Sequence, residues 1–145
     1  MLLKYIRIVV ALLFFGYGLV RVGVGSLLLG QTIGLIDFPV FHQPLTDIGN
    51  FLAKSVEKQI IPFSVAGYVS YIALMGLVLL IGAVRTLKNL ALGLTFIAVF
   101  IVMYALLFLN FQTINPKIIH LVVCMILFGI LLSLKSMGSG LKKLN

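Results

Sequence analysis

The chain predicts an all-α fold: an integral membrane four-helix up-down bundle with an external amphipathic interfacial helix. Three observations predict it. Four apolar runs, at about residues 8–29, 63–84, 90–111 and 118–134, each approach or reach the roughly 17–25 residues that a spanning helix requires. Hydrophobic residues make up 62% of the 145 and charged residues 10%, with a mean hydropathy of +1.25. Apart from Arg21, the basic residues lie outside the apolar runs, most of them near their ends. Lipid is therefore the solvent for most of the chain, and backbone polar groups in it must be satisfied inside helices. Such a length accommodates one transmembrane domain, residues 1–145, and no separate soluble domain.

The first run follows Lys4 and Arg7, a start that resembles a signal peptide. No small-x-small cleavage site follows promptly and the apolar character continues past Leu27, so a retained first helix is expected. Gly16, Gly18, Gly23, Gly25 and Ser26 make this helix rich in small residues, and Ser26, Gly30 and Gly34 continue at four-residue spacing. Small stripes let helix backbones approach closely in lipid, and internal packing or homodimerisation would explain them equally well.

Residues 30–62 form the long external segment, broken by Pro39, Pro44 and Pro62. In its middle Leu45, Ile48, Phe51, Leu52 and Val56 fall on one helical stripe, opposite Asp47, Asn50, Lys54, Glu57 and Lys58. Thr46 or Asp47 is the expected N-cap after Pro44. Such a helix attached to a membrane protein lies flat at the interface, or serves as a lid or packing element.

The remaining connections are short. Arg85-Thr86-Leu87-Lys88-Asn89 is read as a tight hairpin between the second and third spans. Asn115-Pro116 is read as N-cap and first helical residue of the fourth. Short links favour an up-down arrangement in which sequence neighbours are spatial neighbours. With four spans, Lys4, Arg7, Arg85, Lys88, Lys135, Lys142 and Lys143 share one side. Lys54, Lys58 and Lys117 lie on the other with all three acids. The positive-inside bias then predicts a multi-pass protein of the plasma (inner) membrane with both termini cytoplasmic. The net charge of +8 is accounted for by lipid headgroups and topology signals, so no nucleic-acid partner is expected. The expected partners are the bilayer and either another membrane protein or a second copy.

Arg21 is the most telling single residue. It lies inside the first span, and no acid occurs in any span to pair with it. Arginine keeps its proton in proteins, and a guanidinium at the bilayer centre costs about 2.5–3.5 kcal/mol on insertion scales. Either Arg21 snorkels to the outer interface, or it faces the bundle and holds an anionic or carbonyl-bearing ligand or a partner's carboxylate. At ~1.5 Å per residue, Arg21, Ser70 or Tyr71, Tyr104 and Cys124 share a depth of about 10 Å below the outer surface. Tyr17 lies one turn deeper on Arg21's face, and His120 one turn above Cys124. The candidate ligand-binding set is thus Arg21, Tyr17, Tyr71, Tyr104 and His120, lining an outward-open pocket. No catalytic residue is assigned. His120 and Cys124 at four-residue spacing offer two soft ligands, with His42 a remote third candidate, and two ligands do not make a metal site, so none is assigned either. The lone cysteine excludes an internal disulfide or a dithiol pair.

Three stretches also carry a family likeness: Tyr5-Ile6-Arg7 with Phe14-Phe15-Gly16-Tyr17-Gly18-Leu19-Val20-Arg21; Leu79-Leu80-Ile81-Gly82-Ala83-Val84-Arg85-Thr86-Leu87-Lys88; and Ser136-Met137-Gly138-Ser139-Gly140-Leu141. Together they resemble the DoxX-like family of small four-helix membrane proteins. The stretch in the first span is similar to that family's opening arginine, aromatic-glycine run and glycine-x-x-basic end. The stretch ending at Lys88 is similar to its leucine-glycine-x-x-x-arginine turn, and the last to its small, glycine-rich tail. The chain differs in lacking the acid that many members carry early in the second helix, unless Glu57 replaces it, and in its long external segment. The resemblance implies association with membrane redox systems, quinone or thiosulfate metabolism, or membrane-protein assembly, with Arg21 and the Arg85 turn as matching positions.

Three functions follow in order. First is a non-catalytic accessory subunit of a larger membrane complex, packing through small-residue faces. Second is a redox-linked subunit holding a quinone-like ligand near Arg21 and His120; quinone is thus the one cofactor considered. Third is a transporter or channel, disfavoured because proton-coupled exporters of this size need an acid within the membrane.

Overall fold

The computed structural model describes residues 2–113 and 116–141. Among the described residues there are five helices and no strand: α1 (Leu2–Thr32), α2 (Pro39–Ser55), α3 (Val65–Leu87), α4 (Gly93–Phe111) and α5 (Ile118–Leu141). Four of them, α1, α3, α4 and α5, are long and apolar enough to cross a membrane. Consecutive members of this set pack on one another, and α5 also touches α1. The core between them holds Phe14, Met75, Leu79, Ile97 and Phe100, each at most 1% exposed. The outer surfaces are leucine, valine and isoleucine, including Leu12, Leu13, Leu74, Val102 and Ile126. Such surfaces suit contact with lipid chains rather than with water.

The glycines of α1 divide into two sets. A Cβ at Gly18 would stand 3.1 Å from the Gly76 carbonyl oxygen, and one at Gly25 would stand 2.9 Å from the Ala73 Cβ. These residues bring the backbones of α1 and α3 together. Gly16 and Gly23 have nothing within 4 Å and face outward. The α3–α4 contact uses the same device, with Gly82 against Ile97 and Gly93 against Thr86. Neither Gly30, which meets Ile36, nor Gly34 continues the packing stripe.

Gly34 instead ends α1. It takes φ +75°, the left-handed region that glycine enters without cost. The Leu35 N–H then donates to the Gly30 carbonyl and the Gly34 N–H to the Gln31 carbonyl, a Schellman cap. Asn89, at φ 55°, ends α3 in the same way: Leu90 N–H donates to Arg85 O and Asn89 N–H to Thr86 O. The hairpin turn therefore falls at 88–92, three residues later than the expected 85–89, because the cap forms around Asn89. Arg85 reinforces it by donating Nε–H to the Ala91 carbonyl at 2.8 Å.

Helix α2 begins earlier than its sequence suggests. Pro39 occupies the first turn, where its missing N–H costs nothing, and Phe38 before it is extended as pre-proline residues prefer. The Phe38 N–H is taken up by the Gln31 side chain at 2.8 Å. Pro44 lies within the helix on its exposed face. Thr46 and Asp47 are thus interior positions, not N-caps; Thr46 donates back to the His42 carbonyl. The apolar stripe is carried by Leu52, with Ile48 and Phe51 packed on the core. Val56 leaves it at 57% exposure because the helix stops at Ser55, which is buried instead.

Two clips hold α2 and its flanks. At its start Asp37 accepts from Gln31 Nε2 at 2.8 Å and pairs with His42 Nε2 at 2.7 Å. The His42 bond, then the Gln31 bond, hold the Asp37 carboxyl below its ordinary value of 3.8. A lowered carboxylate pKa means that the clip's contribution is present above that value and is lost as pH falls through the depressed one. A spin label at exposed Val40 should gain mobility as the pH drops below about 4, and Asp37→Asn should show that mobility already at neutral pH. Identical spectra for the two proteins across the range would refute the clip.

At the other end Asn110, 9% exposed, bonds the backbone three times. Its carbonyl oxygen accepts from Ile60 N–H, its Oδ1 accepts from Ile61 N–H, and its Nδ2 donates to Ile61 O. Phe63, Tyr68 and Phe111 pack beside it, with ring centroids 5.9–6.1 Å apart. Removing the amide leaves two backbone groups unpaired, at about 1–3 kcal/mol. Asn110→Ala should therefore lower the unfolding midpoint in detergent and expose the 59–63 segment to protease; an unchanged midpoint and digest would contradict this account.

Helix α5 begins at Ile118. Pro116 precedes it in a turn, its carbonyl accepting from Ile119 N–H, and so is not the first helical residue. The expected cap Asn115 lies outside the described residues, as do Lys142 and Lys143. At its far end α5 runs on to Leu141, so the small-residue tail from Ser136 is helical and not an extension beyond a helix ending near 134.

Candidate functional site

The site is built around Arg21. Position 21 faces α3 where that helix has Gly76: a Cβ there would stand 2.7 Å from the Arg21 Cβ. The glycine leaves room for the arginine stem to pass across α3 toward α4. The guanidinium carbon lies 4.4 Å from the Tyr104 ring centroid, 4.7 Å from Tyr17 and 5.6 Å from Phe100. Its Nη2 donates to the Tyr17 hydroxyl at 2.6 Å, one turn away on α1. Arg21 Nε is buried with no hydrogen-bond partner, and no carboxylate pairs with Arg21 among the described residues. An aromatic cage compensates part of a guanidinium's desolvation, since each ring face contributes about 0.5–2 kcal/mol. It supplies no counter-charge.

The cage is one wall of a cavity of about 510 Å³ at the end of the molecule that carries α2. Val20, Val24 and Leu28 of α1, Val69 and Ile72 of α3 and Leu107 of α4 supply apolar lining. Asp47, Ile48 and Phe51 of α2 meet it from above, and Lys117 and His120 come from the start of α5. The volume lies within the range of small-molecule sites, and the mixture of apolar walls with a few converging polar groups is what such sites show.

Of the five residues predicted from sequence, the structure brings four together: Arg21, Tyr17, Tyr104 and His120 line the cavity. The His120 and Tyr17 rings are 6.3 Å apart. Tyr104 also ties α4 to the start of α5, its hydroxyl donating to the Lys117 carbonyl at 3.3 Å. Tyr71 does not line the cavity. Its hydroxyl donates to the Met103 carbonyl at 3.0 Å and its ring packs on Phe63, so it fastens α3 to α4. The alternative at that depth, Ser70, is exposed on the outer surface of α3. Cys124 is buried in the core.

The residue that replaces Tyr71 is Tyr68, one helical turn nearer the α2 end. Phe100 is a further cage residue that depth along the spans does not single out, although it stands four residues before Tyr104 on the same face of α4. Depth counting treats each helix as a ruler and ignores rotation, so it separates neither Tyr68 from Tyr71 nor a cavity wall from an interhelical bond. Asp47 and Lys117 enter through the fold of the segment between α1 and α3 and the start of α5, which periodicity within the long apolar runs does not report.

No protein-family model, curated protein or solved structure matches the chain.

Proposed function

We propose that this is a small multi-pass membrane protein that holds a lipophilic, carbonyl- or carboxylate-bearing molecule, quinone-like in class, in an outward-facing cavity at Arg21. The supporting observation is a caged guanidinium without a carboxylate partner among the described residues, on the wall of an apolar cavity. Fixed donors beside a greasy channel suit a ligand with one polar head and a hydrocarbon body. The protein would then act as the binding subunit of a membrane redox system, with the chemistry performed elsewhere. In this reading α1, α3, α4 and α5 cross the bilayer as an up-down bundle, both termini face the cytoplasm, and α2 lies at the outer interface as a cover on the cavity. Kinship with DoxX-like proteins belongs to the same proposal. Arg21 at the cavity and Arg85, in the last turn of α3 and bonded to Ala91 across the α3–α4 turn, are the positions that support it.

The test is purification in mild detergent followed by mass spectrometry of the extracted lipophilic fraction. A carbonyl-bearing compound at fixed stoichiometry, absent from Arg21→Ala, is the expected result. Extracts that do not differ between the two proteins would overturn the reading.

A second reading, an accessory subunit docked on a larger membrane protein, has its own observation. Gly16 and Gly23 present bare backbone on the outer face of α1 with nothing within 4 Å. Close approach of another helix is what such a face permits.

A further inference from the structure

The end of the molecule opposite the Arg21 cavity holds another cavity, about 670 Å³, between the first turns of α1, the α3–α4 turn and the C-terminal part of α5. Neither its residues nor its charge take part in the site described above. Three cations line it, Lys4, Arg7 and Lys135, and none of the chain's three acids, Asp37, Asp47 and Glu57, does. Three like charges around one hollow, with no side-chain carboxylate lining it among the described residues, form a site of positive potential.

Arg7 is held in place. Its Nη1 donates to the Asn89 side chain at 2.7 Å, and Asn89 is itself fixed in the left-handed conformation that caps α3. Its Nε is buried with no partner. Thus the guanidinium is oriented by one bond and still has unused donor capacity. The first turn of α4 borders the same hollow, and its N-cap residue, Leu92, offers no side-chain acceptor. The partial positive charge of that helix end adds to the potential of the cations, and the capped C-terminal end of α3 beside it offsets part of that gain. Most of the rest of the wall is apolar, above all Leu3, Leu90, Leu131 and Leu134, with Thr86, Asn89 and Thr95 as its uncharged polar members.

A cationic rim over leucine walls, at the level where the helices leave the hydrocarbon, requires an occupant with the complementary division. Free phosphate or a soluble nucleotide would leave the leucines in contact with water. A zwitterionic lipid would bring an ammonium group toward Lys4 and Lys135. An anionic phospholipid meets both requirements, and basic hollows between membrane helices take such headgroups.

We propose that this cavity binds one anionic phospholipid from the leaflet at the basic end of the protein. Its phosphate sits at Arg7, flanked by Lys4 and Lys135, and an acyl chain lies along Leu131 and Leu134. The lipid ties α1, the α3–α4 turn and α5 together, adding to the Arg7–Asn89 bond that already joins the first two.

The test uses the full chain in detergent, with phosphatidylglycerol and phosphatidylcholine offered at equal concentration and adducts counted by native mass spectrometry. One retained phosphatidylglycerol, favoured over phosphatidylcholine by about tenfold or more, is expected. Arg7→Ala and the double variant Lys4→Gln/Lys135→Gln should each lose most of that preference. Arg7→Lys should keep part of it, and Lys88→Gln, at the same end but off the cavity, should keep all of it. Millimolar inorganic phosphate should not displace the lipid. Equal retention of the two lipids by the wild type overturns the proposal without reliance on any variant. Displacement by inorganic phosphate overturns it in favour of a plain anion site.

Discussion

Gly76→Ala should destabilise the protein by about 1–3 kcal/mol and Gly76→Leu should leave little folded material in detergent. A Cβ at position 76 meets Arg21 Cβ at 2.7 Å, the Val22 nitrogen at 2.8 Å and the Gly18 oxygen at 3.0 Å. Two of these three are backbone atoms, which cannot turn aside as a flexible side chain would. The helices must separate, and overpacking of this kind carries a cost of the size given above. Alanine is otherwise the better helix former by about 1 kcal/mol, so helix propensity alone predicts the opposite sign. Gly16→Ala and Gly23→Ala supply the comparison, because neither new methyl meets any atom within 4 Å. Those two should match or exceed the wild type in thermal unfolding followed by size-exclusion chromatography. If Gly76→Ala unfolds at the same temperature as Gly16→Ala, the close contact of α1 with α3 is wrong. The position of Arg21 would then be wrong with it.

The other large effect concerns the cavity. Titration of a short-chain quinone, followed by tyrosine fluorescence since the chain has no tryptophan, should give an affinity that Arg21→Ala lowers by about 10- to 100-fold. A hydrogen bond to a charged group is worth about 1.5–3 kcal/mol, and each 1.4 kcal/mol is a factor of ten. Arg21→Lys should fall between the two. It keeps the positive charge but loses the planar face that lies 4.4 Å from the Tyr104 ring centroid. Tyr71→Phe should bind as the wild type does, because the Tyr71 hydroxyl is occupied with the Met103 carbonyl and is not at the cavity. That variant should instead lose a little stability. Unchanged affinity in Arg21→Ala would remove the ligand from Arg21, whatever else the cavity holds.

The long apolar helices are legible in the sequence because their signal is composition over a window of about 20 residues, which survives ignorance of every neighbour. Their ends are less so. Both α1 and α3 stop at Schellman caps on Gly34 and Asn89, and a helix ends there because a left-handed residue lets the chain satisfy its last carbonyls. Asn89 resembles an ordinary polar turn residue until the Arg85–Leu90 bond is seen. In α2 a proline need not be a break. Pro44 stands on an exposed face early in the helix, where the freed carbonyl is left open to solvation.

The candidate site divides along the same line. Tyr17 and Arg21 share a helix, and four-residue spacing alone places the hydroxyl under the guanidinium. Depth, which chain length measures well, locates Tyr104 and His120. It does not select Tyr68 over Tyr71, since that choice depends on how α3 is rotated against α1. The interlocking of Gly18, Gly25, Ala73 and Gly76 sets that rotation.

By itself, then, the sequence determined the apolar character and the number of the long helices, the gathering of cations near one set of their ends and the presence of a lone arginine within a long apolar run. These are sums and periodicities along one dimension. Tertiary structure decided which glycines join helices and which face outward, which tyrosine meets the arginine, and that Lys4, Arg7 and Lys135 surround one hollow. The physical reason is that rotation and close approach of helices are set by contacts between residues far apart in the chain, and only packing in three dimensions selects among them.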